Sequence, residues 1–369
     1  STTSTTASTP SAASSASKPP AAFSFAAHAS RVRDAPMPSG GAPEGFGVSE
    51  AVINELMTAS PDALLLIGRS RAKADVRLAH GVALRLYERI NFTSGSEWSC
   101  DRLGGAGWPR VLGELMKTHL PDIDPVVAAI QKMAASGNPS RSGPPQVPTD
   151  YAFRLARMCC LALHRFTCCD EDEVSETSHL RRQRVANSGA LAAVVKAMTV
   201  YKLAQWRVGQ AACMVLYNVC AGGNHAIREA VANAGAIEAT AEFLTYHSRC
   251  SECARNRAHV CAIAAEDWAK NADFGLRVLI NLCGIRHEKT IETATEFESI
   301  VATGERSRRA KRACLEEDIF DKIRVAYNGK NPSIMSLLQS AQKVIDLGII
   351  TGKRARAQGR ISPSVLNRT

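Results

Sequence analysis

Five potential metal ligands crowd into one short stretch of this 369-residue chain: His247, Cys250, Cys253, His259 and Cys261. A Cys-x2-Cys pair with a nearby His and Cys can give Zn²⁺ four tetrahedral ligands, here Cys250, Cys253, His259 and Cys261. Such a structural zinc would stiffen a segment with little apolar content of its own. There is one Cys-x2-Cys pair only, and His259 and Cys261 are crowded, so ordinary loop and helix residues in a cysteine-rich chain are the alternative reading. No other cofactor is expected. The acidic run Asp170 to Glu173 offers four adjacent carboxylates that point in different directions, which suits a solvated loop facing Arg181, Arg182 and Arg184 better than a metal site. There is no G-x-S-x-G elbow and no H-E-x-x-H, and Gly348 to Lys353 has neither the spacing nor the hydroxyl of a phosphate loop. The expectation is that the chain is not an enzyme.

The formal net charge of +10 favours an acidic partner, an anionic membrane surface or nucleic acid. It is unevenly placed: one cluster spans Arg306 to Arg312, and Lys353, Arg354, Arg356, Arg360 and Arg368 follow Gly352 without an acid among them. Such runs serve as nuclear import signals or phosphate-binding arms, or are plain solvated helix faces and tails. No aromatics interleave with them along the sequence, which weighs against specific nucleic-acid recognition. No run approaches the roughly 18 uninterrupted apolar residues of a membrane-spanning helix, so no membrane span is expected.

These residues need elements to position them, and the composition points to helices. Hydrophobic residues make up 45% of the chain and aromatics only 5%, which suits tightly packed helices better than β-sandwiches. The fold-class expectation is all-α. Residues 1–47 are rich in Ser, Thr, Ala and Pro and lack periodic apolar positions, so they are expected to be a disordered tail; their composition also suits an organelle transit segment or a secretion signal. The twelve cysteines sit largely in apolar helical contexts such as Leu155 to Leu163 and Ala211 to Cys220, as small buried hydrophobes in a reducing compartment would. A cytoplasmic or nuclear location follows, with a plastid or other organelle if the tail is a transit segment.

Two segments nearly match: Val185 to Met198 (VANSGALAAVVKAM) and Val231 to Leu244 (VANAGAIEATAEFL). Long apolar helices accompany them, ending in Leu216 to Val219 (LYNV) and Leu279 to Leu282 (LINL). Gly222-Gly223 closes the first long helix, a short helix ends near Asn233, and Gly235 opens a one-sided stripe of Ala236, Ile237, Thr240, Ala241 and Leu244. The result is a unit of three helices, short, medium and long, that cannot bury its apolar faces alone.

These residues resemble the armadillo repeat family, in which a short helix meets a Gly-Ala corner, then a second helix, then a third of form A-x-x-x-L-x-N. Ala212, Leu216 and Asn218 fit that third-helix pattern, and Leu279 and Asn281 fit its end. The match is best over residues 179–285, and the step from Gly189 to Gly235 is 46 residues, near the family range of about 40 to 47. Gly105 to His119 reads as a further corner and second helix, with 150–168 as its third helix, and 317–327 with 332–347 as a last pair. The resemblance implies an armadillo-like or HEAT-like superhelix of four to five imperfect units over residues 48–350, between the tail 1–47 and a basic tail 351–369. Insertions are expected at 136–149, 168–178 and 248–267.

The resemblance further implies a groove lined by third helices, in which Asn218 and Asn281 would bond the backbone of an extended peptide. Bracing of neighbouring helices is the alternative role for both. Met214 and Arg277 stand where import receptors of the family place Trp, Arg165 where an earlier ladder Asn would be, and Asp346 where a later one would. Classical import is therefore not expected. With Arg165 and Arg277 the groove would be basic, so the implied partner is another protein, acidic or phosphorylated, and the chain a scaffold or adaptor. A basic helical-repeat protein acting on RNA or ribonucleoprotein, or in an organelle, is the second reading.

Overall fold

The computed structural model describes residues 48–92, 98–122, 151–168, 176–201, 206–221, 225–253, 265–284, 294–316, 318–327 and 331–361. All regular structure among them is helical: fifteen α-helices, one 3-10 turn at Arg71–Lys73 and no strand. In chain order these are α1 (Glu50–Thr58), α2 (Pro61–Arg69), α3 (Val76–Phe92), α4 (Cys100–Ala106), α5 (Trp108–His119), α6 (Tyr151–Thr167), α7 (Glu176–Asn187) and α8 (Ala190–Val200). Then come α9 (Trp206–Cys220), α10 (His225–Asn233), α11 (Ala236–Cys253), α12 (Ala265–Cys283), α13 (Ala294–Glu316), α14 (Ile319–Tyr327) and α15 (Pro332–Ile361). No helix of the described residues is long and apolar enough to cross a membrane.

The helices fall into repeating triplets because the same sharp corner recurs. Between the first and second helix of a triplet, one residue takes the left-handed backbone conformation: Gly107 (φ 96°), Gly189 (φ 79°), Gly235 (φ 89°) and Asp318 (φ 50°). Side chains rarely tolerate this conformation, and Gly and Asp tolerate it best. The sequence reading set one corner at Gly105-Ala106, but both lie within α4 and the turn is made two residues later, at Gly107 before Trp108. Asp318 makes the fifth corner with no glycine to announce it. In the first triplet Ser60 does the equivalent work by a different route, capping α2 through a hydrogen bond from the Ala63 amide, with Pro61 in the first turn.

Each triplet leans on the next through like helices. The third helices form one row, α3 against α6, α6 against α9, α9 against α12 and α12 against α15. The second helices form another, with α2 touching α5, α5 touching α8, α8 touching α11 and α11 touching α14. Among the first helices α4 touches α7, α7 touches α10 and α10 touches α13. One apolar core runs through all of them from Leu56 to Ile345. Close approach is built in by small residues: a side chain on Gly113 would meet Ala190, one on Gly209 would strike the Phe243 ring, and Gly304 abuts Gly352 where α13 crosses α15. The last contact revises the expected basic tail. Helix α15 continues to Ile361, and Gly352 and Ala355 are buried within residues whose charges suggested solvent exposure.

Ion pairs join consecutive first helices in the same way twice. Asp101 of α4 receives Arg181 of α7 at 2.5 Å, and Glu229 of α10 receives Arg306 of α13 at 2.6 Å. Arg306 is 2% exposed and also donates to the Leu282 carbonyl and to Thr303 Oγ1. Arg309 donates to Glu238 and to the Ala232 carbonyl, Arg308 pairs with Glu305, and Lys311 pairs with Asp346. The cluster Arg306 to Arg312 thus spends most of its charge on neighbouring helices rather than presenting an arm.

The corner account makes a paired prediction. Nothing lies within 4 Å of where a Cβ on Gly189 would sit, so Gly189→Ala tests backbone conformation alone and is expected to cost roughly 1 kcal/mol. Asp318→Gly should move the other way. Thermal melts of the two variants are expected to bracket the parent by a few degrees.

Candidate functional site

The third helices bury two sides against the core and against each other, which leaves one stripe of each uncovered. On α6 the half-buried stripe is Tyr151, Arg154, Met158, Leu161 and Arg165, and on α9 it holds Gln210 and Tyr217, with Arg207 exposed at its start and Met214 nearly covered. On α12 it is Lys270, Asp273, Arg277 and Ile280. Contacts across helices fix the register: Arg157 and Arg207 repel one another towards the starts, and Asn218 meets Cys168 at the ends, so α6 and α9 run side by side in the same direction.

The four residues implicated in groove binding all lie on third helices, but with different roles. Asn218 is 6% exposed, and its Nδ2 donates to Cys168 Sγ at 3.4 Å. This amide braces the end of α6. Asn281 is half-buried, and its Nδ2 is enclosed with no hydrogen-bond partner. Arg277 donates from Nε to Asp273 Oδ2 at 2.7 Å. Burial pulls its pKa down, but the bond and field of Asp273, with Tyr217 assisting, outweigh burial and raise it. Its charge is therefore neutralised locally, against the expectation that it makes the surface basic. Arg165 is half-buried with Nε enclosed, and its field opposes the rise that burial imposes on the Tyr87 hydroxyl. Asp346 is exposed and paired with Lys311 at 2.8 Å.

A second set of residues was not anticipated. Arg77 of α3 and Arg154 of α6 both stack on Tyr151, at 5.4 and 5.5 Å from the ring centroid, and Arg207 lies 5.3 Å from the centroid of Trp206. His80 packs edge-on against Tyr151 at 5.9 Å. Burial, and then the Arg154 charge, lower its pKa to about 4. Arg157 is half-buried, and its pKa is lowered first by burial and then by repulsion from Arg207. The positions on α3, α6 and α9 lie some fifty to eighty residues apart from one helix to the next and converge only when third helices lie side by side. The aromatic residues absent from the basic runs in sequence stand here among arginines in space.

Cys250 and Cys253 fall in the last turn of α11, where the backbone alone is described. His259 and Cys261 lie outside the described residues, as do the acidic run Asp170 to Glu173 and the tail 1–47. Among the described residues, Cys159, Cys160, Cys213, Cys220, Cys283 and Cys314 are buried free thiols. Burial raises the pKa of each, to about 12 for Cys160, Cys220, Cys283 and Cys314. They pack as small apolar side chains.

No protein-family model and no curated protein matches the chain. Solved structures do match, among them the crystal structure of an engineered protein that is 14% identical, with a TM-score of 0.34, over 81% of this chain and 96% of that one. A likeness at that level carries no argument about this chain.

His80 gives the site a pH signature. Its folded pKa lies below the ordinary histidine value, so its contribution to stability is complete above about pH 6.5 and is lost as pH falls towards 4. Between pH 7 and 5 this one group should remove about 2 kcal/mol. Urea unfolding at the two pH values is expected to show that loss in the parent and a clearly smaller one in His80→Asn.

Proposed function

We propose that the five triplets form an armadillo-like α-solenoid, and that the chain is a non-enzymatic scaffold that holds an extended segment of a partner protein along its third helices. One observation carries this reading: the third helices pack side by side in one direction, yet each keeps a stripe that no other described helix covers. The left-handed corners support it too, since they set the same turn between first and second helices at Gly107, Gly189, Gly235 and Asp318. The stripe is mixed in character, with Leu161, Met158 and Ile280 beside Gln210, Tyr217 and Arg165. Apolar side chains supply contact area there, while amide and hydroxyl groups can meet the unpaired backbone of an extended segment. Asn281 Nδ2 has no partner but is enclosed, so it reaches such a segment only if its side chain turns outward; Asn218 already spends its amide on Cys168.

A photo-crosslinking amino acid at Gln210 or Ile280 is expected to capture the same partner from native-cell extract. The same group at Arg110, on the far side of α5, should not. Leu161→Glu should weaken binding of that partner at least about tenfold, near 1.4 kcal/mol, with its melting temperature close to the parent's. Equal capture from Arg110 would contradict the proposal.

A further inference from the structure

Many arginines among the described residues are paired with an acid. Arg181 has Asp101, Arg277 has Asp273, Arg306 has Glu229 and Arg309 has Glu238. Where α6 and α9 begin, three without one come together: Arg154, Arg157 and Arg207 have no carboxylate partner among the described residues. Their cationic groups are held by aromatic faces instead, Arg154 on Tyr151 and Arg207 on Trp206, with Arg77 on Tyr151 as well. Arg157 sits one turn beyond Arg154, half-buried and repelled by Arg207. Arg207 is exposed, but Arg154 and Arg157 are half-buried, and like charges kept together with part of their water lost are unfavourable without a counter-charge. Stacked guanidiniums also lose little freedom on binding, and their planar forks match the oxygens of a tetrahedral anion.

We propose that this corner binds the phosphate of a phosphorylated serine or threonine in the segment held along the third helices, an inference that rests on the scaffold reading above. A phosphate dianion brings close to two charges and three acceptor oxygens, against one charge and two oxygens for a carboxylate, and so suits three or four clustered arginines. Nucleic acid fits less well. A polynucleotide needs a track of cations at repeating intervals, and the stripe beyond this corner passes to Gln210, Met214 and Tyr217, then to Asp273 with its neutralised Arg277. The surface offers one concentrated anion site followed by apolar and amide contacts, which is the layout for one modified residue within a peptide.

The test uses the full chain and fluorescence anisotropy with three probes: a degenerate peptide pool with a fixed central phosphoserine, the same pool with serine, and a single-stranded RNA 15-mer. The phosphoserine pool is expected to bind at least tenfold more tightly than the serine pool. Arg157→Gln combined with Arg207→Gln should erase that difference, and Arg110→Gln should keep it. The double variant should melt within a few degrees of the parent, because the repulsion it removes offsets the lost Arg207–Trp206 contact; this separates lost binding from lost folding. Equal binding of both pools, sensitive to Leu161→Glu, overturns the phosphate site and leaves the scaffold reading standing. RNA binding with a steep salt dependence, and neither pool bound, overturns both. If none of the three probes binds, the phosphate site is likewise refuted.

Discussion

Lateral packing of the third helices is the constraint on which the rest of this structure depends. Each of α3, α6, α9, α12 and α15 is too apolar to stand alone, and each finds its cover in its own triplet and in the next third helix. Because the neighbours run in the same direction, residues at equivalent depths come together from distant points in the chain. Asn218 reaches Cys168, and Tyr217 reaches Arg277, in this way. The uncovered stripe is a by-product of the same packing: a helix with neighbours on two sides and a core beneath it has one face left.

Charge is distributed to suit that arrangement. Between first helices, where successive triplets meet, arginines are paired and in one case nearly buried, as Arg306 is among Glu229, Thr303 and the Leu282 carbonyl. Breaking such a pair from one side leaves an uncompensated charge in a dry site, so these pairs fix how one triplet seats on the next even where their net contribution to stability is small. At the starts of α6 and α9 the opposite holds. There the arginines lie on aromatic rings, and His80 beneath them is kept neutral by burial and by the Arg154 charge. Carboxylate-paired arginines join successive triplets, and ring-stacked ones stand at the starts of α6 and α9.

The triplets were legible in sequence wherever the corner was a glycine followed by a periodic helix, as at Gly189 and Gly235. Gly105 misled by two residues because α4 contains two glycines before the one that turns, and Asp318 was invisible because a left-handed aspartate leaves no signature. The reach of α15 was underestimated for a related reason. Lys353, Arg354 and Arg356 suggested a solvated tail, while the helical spacing of Gly352 and Ala355 between them marks a packed face. The groove candidates read from sequence do fall on third helices, but they emphasise Arg277, whose charge a carboxylate one turn away cancels. The cluster around Arg157 and Arg207 could not be found by motif. Its only trace is that both arginines fall within the first two turns of successive third helices, which matters only once those helices are known to lie side by side.

Parallel, in-register third helices are therefore the point at which the account is most exposed. The direct measurement is oxidation of an Asn218→Cys variant followed by peptide mapping, because residue 218 faces the native Cys168 across α9 and α6. The account predicts a disulfide between positions 168 and 218 with unchanged helical content. Failure of that link to form, or oxidation that joins residue 218 to a cysteine on another row of helices, would contradict it.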